Sequence, residues 1–235
     1  MSKIRTQLAN NEFYHIINRG VEERNIFQDD EDRFRFLNNL LVFNDSKPAP
    51  WDNRLSWGNP AKESSWLLNY KQTNPFVEIH AFALMDNHFH ILLRQICENG
   101  IMNFMHKMGG YAYYFNKKYH RVGPLFQGRY KSVLVKDDEQ LKNTFTYIHT
   151  NPVGLIESAW KEYRVQDLKK AINFIEKYPW SSYRDYLGID NLNHLIIKDF
   201  FNNLFGSVDN IKEEVESWIQ YKAQTSKMDE EISIL

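Results

Sequence analysis

The chain has 235 residues with 29 basic and 30 acidic side chains, a formal net charge of -1, and at ~150 residues per domain it holds one domain or two. Its 43% hydrophobic and 25% charged content is that of a globular protein. That excludes collagen-like and disordered classes, and the single cysteine, Cys97, excludes a disulfide framework or a cysteine-rich zinc module and suits a reducing cytosol. No stretch reaches the ~18 uninterrupted apolar residues of a membrane span, and Met1 to Gln7 lacks the apolar core of a signal peptide. On its face the near-zero charge also argues against a nucleic-acid partner, since such domains are often strongly basic.

In chain order, Phe13 to Asn18 has strand composition and ends in the turn signal Arg19-Gly20. Asp29, Asp30 and Asp32 before Phe34, Phe36, Leu37, Leu40 and Leu41 predict a helix start. Asn44 to Pro75 carries four of the seven prolines with Trp51, Trp57 and Trp66, and is expected to be a loop insertion packed by its tryptophans. Val77–Leu84 and His88–Arg94, joined through Asp86-Asn87, predict a β-hairpin. Ile101 to Lys118 has helical apolar spacing, with a kink expected at Gly109-Gly110. Tyr130 to Val135 predicts a strand with Val133, Leu134 and Val135 buried. Asp137-Asp138 then caps a helix through Leu141, Phe145 and Ile148. Pro152 disfavours helical geometry at Asn151, where this helix should end. The order β, α, β, β, α, β, α predicts an α+β fold, a ferredoxin-like antiparallel sheet with helices on one face. Residues 156–235 form a helical C-terminal extension packed on a first domain of residues 1–155, which carries the insertion at 44–76; an amphipathic helix is expected from Val208 to Tyr221.

Three features bear on chemistry. In His88-Phe89-His90 the two imidazoles share one face of a strand, which suits either a divalent-metal platform or two hydrogen-bonded histidines. Tyr147 and Asn151 stand four apart, on one helix face, and a phenol is a competent nucleophile while an amide oxygen ligates hard cations. The plainer reading makes Tyr147 an amphipathic helix residue and Asn151 a terminator. Ile101 to Lys136 contains seven Lys or Arg and no Asp or Glu, interleaved with aromatics. Cations bind phosphates and aromatic faces stack on unpaired bases, so Tyr113, Tyr114, Lys117, Lys118, Arg121, Arg129 and Lys131 are candidate DNA contacts, or else a solvated basic face. Tyr111 and Phe115 fall on the apolar stripe and are expected in the core. The net charge of -1 therefore hides this run behind acids elsewhere, and the surface field follows where charge sits.

Together the segments Tyr14–Gly20, Ile26–Phe34, His80–His90, Tyr114–Tyr119, Gly123–Ser132, Tyr147–Pro152 and Trp180-Ser-Ser-Tyr183 resemble the Y1 tyrosine transposases, HUH endonucleases of the IS200-like superfamily, and especially the REP-associated tyrosine transposases. The resemblance implies a ferredoxin-like fold, Mg²⁺ or Mn²⁺ on His88, His90 and Asn151, and Tyr147 as nucleophile. It further implies single-stranded DNA beside a hairpin as substrate, cleaved through a 5′-phosphotyrosine intermediate. A monomer or homodimer in a prokaryotic cytoplasm, associated with the nucleoid and with no membrane, is expected. The alternative is a catalytically silent module of the same fold that holds hairpin DNA or RNA. Asp86 departs from the proline common in relatives, and only a local change of turn is expected there.

Overall fold

In the computed structural model, which describes residues 8–48, 70–157, 160 and 165–232, four strands form an antiparallel sheet in the order β2-β3-β1-β4. The strands are β1 (Phe13–Arg19), β2 (Val77–Leu84), β3 (His88–Gln95) and β4 (Lys131–Val135). Helix α1 (Asp30–Val42) connects β1 to β2, and α2 (Gly100–Met108) with α3 (Gly110–Lys118) connects β3 to β4. After β4 come α4 (Asp138–Thr150), α5 (Leu168–Lys177), α6 (Tyr183–Tyr186), α7 (Asp199–Phe205) and α8 (Val208–Ile232). The α+β class and the ferredoxin-like order follow the sequence expectation. Only β2 and β3 are neighbours in both chain and sheet, because a short turn can join strands only as a hairpin and the helical connections must cross over.

The chain divides into two compact units, with β2 and β3 contributing residues to each: one holds the described residues up to Ile79 with Asp86–His88 and Leu93–Lys136, the other His80–Met85, Phe89–Leu92 and the residues from Asp137 on. In the first unit Phe27, Phe36 and Tyr111 pack with centroid separations of 5.2 to 5.7 Å. The Tyr111 hydroxyl donates to the Ile26 carbonyl at 2.6 Å, so a buried phenol is satisfied. Tyr111 and Phe115 are fully buried, as their spacing predicts. The glycine pair separates α2 from α3. At the start of α1, Asp29 accepts from the Asp32 amide and Asp32 accepts from the Gln28 amide, a reciprocal cap that uses the acids the sequence places there.

β4 pairs with β1 in the register Phe13↔Val135, Tyr14↔Leu134, His15↔Val133. The strand begins at Lys131 rather than Tyr130, and only Val135 of its three apolar residues is buried. Val133 and Leu134 are 53% and 39% exposed, against expectation, because β4 is the outermost strand and has a strand neighbour on one edge alone.

Residues 49–69, which include Trp51, Trp57 and Trp66, lie outside the described residues. The base of that insertion is closed by side-chain bonds. The Asn44 oxygen accepts from the amides of Phe76 and Val77, and its NH₂ donates to the Val77 carbonyl. Asp45 accepts from Thr73 and Asn74. Lys107 donates to the carbonyls of Asp45 and Lys47.

In the second unit Phe145 of α4 stacks on Phe201 at 4.9 Å and meets Tyr186 edge-on at 4.7 Å. Ile211, Val215 and Ile219, each four apart, bury one stripe of α8. A Lys212–Glu176 pair at 2.8 Å joins α8 to α5. The outer edge of β2 is covered by the segment after α5: Leu84 N–H donates to Trp180 O and Ser182 N–H to Phe82 O. No described helix is long and apolar enough to cross a membrane.

Candidate functional site

The turn between β2 and β3 fixes His88. The Asp86 carbonyl accepts from the Ile26 and Phe27 amides, and the Asn87 carbonyl from Gly20. The Asp86 carboxylate meets Arg33 at 2.6 Å, so this departure from the family pattern adds an ion pair to the turn. The Asn87 NH₂ donates to the Glu23 carbonyl at 3.1 Å, which leaves its oxygen for His88, 2.6 Å from Nδ1. An amide oxygen can only accept, so His88 donates from Nδ1, and a metal would meet the ring at Nε2. This is the support a metal-ligating histidine takes from its neighbours.

His88 belongs to the first unit; His90, two residues on along β3, belongs to the second. Within the second unit His90 is buried, and its ring meets that of Tyr147 edge to face at 5.5 Å and 89°. Tyr147 sits in the last turn of α4 and is 37% exposed, so its ring is seated while solvent still reaches it. Asn151 is buried, and its NH₂ donates to the Tyr147 carbonyl at 3.2 Å. The amide oxygen of Asn151 thereby remains the acceptor end. α4 ends at Thr150 as expected, but Asn151 keeps helical angles (φ -53, ψ -38) and the chain continues as a 3₁₀ turn from Asn151 to Leu155. Pro152 thus tightens the helix without ejecting Asn151 from its face. The second unit therefore brings Tyr147, His90 and Asn151 together. Among the described residues no group of three His, Cys, Asp or Glu side chains is placed to hold a metal. Within the second unit the side chains with metal-donor chemistry beside Tyr147 are the His90 imidazole and the Asn151 amide.

His149 points away from Tyr147, as the two-residue offset requires. It is fully buried, with Nε2 2.8 Å from Ser182 Oγ and its ring 4.2 Å from that of Phe145. Burial lowers its pKa to about 3, against a weaker pull from the Phe145 carbonyl, so it is neutral.

The basic run divides. Tyr113 is 69% exposed, and Lys117, one turn on, is exposed on the same helix. Arg129 and Lys131 are exposed before and at the start of β4. Tyr114 and Lys118 do not belong with them. The Tyr114 hydroxyl donates to Asp32 at 3.2 Å from a buried ring, so that ring is not offered to a base. Lys118 lies within 3.0 Å of Asp29, Glu31 and Asp32. Burial opposes the Lys118 charge, and hydrogen bonds to those carboxylates more than reverse it, raising its pKa well above the ordinary range. Its charge serves the α1–α3 packing. Sequence reasoning passed over the supports, Asn87 and Ser182, although both lie in the segments that carry the family resemblance.

Residues 61–151 match the family described as "Transposase IS200 like". The match runs from ahead of β2 through α4 to Asn151, less than half of the chain. A solved structure described as "Structure of the REP associates tyrosine transposase bound to a REP hairpin" is similar over 82% of this chain and 90% of that chain, at 11% identity and a TM-score of 0.46. No curated protein matches.

Proposed function

We propose that the chain is a metal-dependent single-strand DNA endonuclease and strand transferase of the REP-associated branch, cutting beside hairpin DNA. The supporting observation is Tyr147 seated on His90 while Asn151 bonds back to the Tyr147 carbonyl, in a segment that matches the family described as "Transposase IS200 like". Tyr147 Oη attacks phosphorus and the 3′ oxygen leaves, giving a 5′-phosphotyrosine and a free 3′-OH. Attack by a 3′-OH on that phosphotyrosine reverses the exchange, so the bond energy is conserved and no nucleotide triphosphate is consumed. His149 is not the base for this step, because its ring is buried on Ser182.

The donors fit a divalent cation. The Asn87 bond takes His88 Nδ1, so Nε2 is the nitrogen that would ligate, and the Asn151 NH₂ is spent on the helix, so its oxygen is the end that would ligate. Mg²⁺ or Mn²⁺ on His88, His90 and Asn151 would supply Lewis-acid polarisation of a phosphate oxygen, and two imidazoles favour Mn²⁺ for tight binding. The test is incubation with labelled hairpin-flanked single strands and Mn²⁺, followed by denaturing electrophoresis. A covalent protein–DNA adduct is expected, and Tyr147→Phe should abolish it. Persistence of the adduct in that variant removes Tyr147 as nucleophile; binding without any adduct favours the silent hairpin-binding module.

A further inference from the structure

An open cleft of about 490 Å³ lies in the first unit, lined by Arg24, Asn25, Gln28, Phe115 and Arg121. Its volume is that of a small-ligand pocket. Its chemistry is unusual in that two guanidinium groups share it and no lining residue is acidic. Arg121 is held by neutral acceptors: it donates to Asn116 Oδ1 at 2.6 Å and to the Pro124 carbonyl at 3.4 Å, 5.7 Å from the Phe115 ring centroid. Burial and the Arg24 charge across the shared cleft both lower its pKa. Arg24 is pinned by Nε to the Val21 carbonyl at 3.1 Å, and its one carboxylate partner, Glu22 at 3.2 Å, is 81% exposed. An ion pair so wet neutralises little. The acids at the start of α1 are engaged by Lys118.

The cleft is also built in advance. Gly20 approaches the Arg24 carbonyl so closely that a Cβ there would lie 2.2 Å from it. Glu22 and Glu23 both take left-handed backbone angles, φ 55 and 57, a cost that needs a reason. The arch carrying Arg24 is locked to the Arg121 side by Val21 N–H on Leu125 O and Gln127 N–H on Arg19 O. Two cations held together by strained, well-bonded backbone make a site for an anion. Asn25 and Gln28 add amides that both donate and accept, the groups that read base edges.

We propose that this cleft is a nucleotide subsite for the single strand, taking one phosphodiester on Arg24 and Arg121 and the attached base against Asn25 and Gln28. The proposal rests on the reading that the substrate is single-stranded DNA. Paired guanidinium forks suit phosphate oxygens, and the amides would give that position a base preference.

The experiment uses the full chain and a fluorescent hairpin oligonucleotide with a single-stranded flank. Anisotropy is read across salt concentrations, beside the Mn²⁺ adduct assay. Arg24→Gln and Arg121→Gln are each expected to weaken binding roughly tenfold and to reduce the salt slope by about 1. Should Arg121→Gln fail to fold, Arg24→Gln on its exposed arch and a photocrosslink from an iodouracil-substituted flank, expected on the 24–28 segment, still decide. Unchanged affinity and slope with crosslinks elsewhere overturn the subsite; if the adduct still forms, the cleavage reading stands. Arginine-dependent binding without an adduct supports the subsite and overturns cleavage. A wild-type chain that binds no oligonucleotide overturns the subsite.

Discussion

His149 Nε2 and Ser182 Oγ share a buried hydrogen bond of 2.8 Å, and the same hydroxyl accepts from the Phe82 amide at 2.9 Å. One serine therefore joins the catalytic helix candidate, α4, to strand β2. His149 is two residues from both Tyr147 and Asn151, so its anchorage sets the height and rotation of the turn that presents them. Ser182→Ala leaves a buried imidazole nitrogen and a buried amide without this partner, which should destabilise the chain by about 2–3 kcal/mol. Urea unfolding measures it. Adduct formation by the folded variant should slow more than DNA binding weakens, and Ser182→Thr, which keeps the hydroxyl, should restore both. Equal stability of wild type and Ser182→Ala would show the bond to be incidental.

Buried histidines give stability a sign in pH. Burial lowers His15 to about 4 and His149 to about 3, from an ordinary 6.5. Below pH 6.5 the unfolded chain takes up protons that the folded chain refuses, so stability is full above that pH and falls as pH drops toward 4. Each group contributes at most about 1.4 kcal/mol per pH unit. Chemical denaturation between pH 7 and 4.5 should show the decline, and His15→Gln should make it shallower. A profile that rises on acidification contradicts the assignment.

The two faces of the basic run should separate by mutation. Lys118 stabilises the fully buried Asp32, and removing one partner of such a pair leaves the other's buried charge on neutral hydrogen-bond donors alone. Lys118→Ala should therefore cost about 3 kcal/mol of stability, read as a lowered urea midpoint. Tyr113→Ala with Lys117→Ala should weaken oligonucleotide binding while leaving the midpoint nearly unmoved, because both side chains are exposed. The reverse pattern would return Lys118 to the DNA-contact surface.

What the sequence conveyed depended on the range of the signal. The hairpin at Asp86-Asn87, the Asp137 cap, the break at Gly109-Gly110 and the shared face of Tyr147 and Asn151 are decided within a few residues, and spacing reveals them. The exposure of Val133 and Leu134 depends on which strand ends the sheet, a property of the whole topology. Tyr114 and Lys118 looked like ligand contacts because their acidic partners lie more than eighty residues away in the chain. The support that Ser182 gives His149 spans 33 residues and joins two segments whose separate resemblance to a family said nothing of their contact. Likewise Arg24 and Arg121 become neighbours only once Gly20 lets the arch close.

The hydrogen bond from His88 Nδ1 to Asn87 predicts a metal-affinity effect that does not depend on cleavage. With Nδ1 donating to Asn87, Nε2 is the ring nitrogen that a metal would meet. Asn87→Ala removes that acceptor and lets the proton and the ring reorient. Mn²⁺ affinity of the full chain, measured by calorimetry or by the spin signal of unbound Mn²⁺, should then fall roughly 10–100-fold. His88→Ala with His90→Ala should fall further, while oligonucleotide binding in the absence of metal is largely kept, since phosphate contacts elsewhere supply it. Asn151→Asp replaces the amide oxygen with a carboxylate and should retain or tighten Mn²⁺ binding, whereas Asn151→Leu should weaken it. An Mn²⁺ affinity indifferent to His88, His90 and Asn151 alike would place the cation elsewhere, and Tyr147 would then work without it.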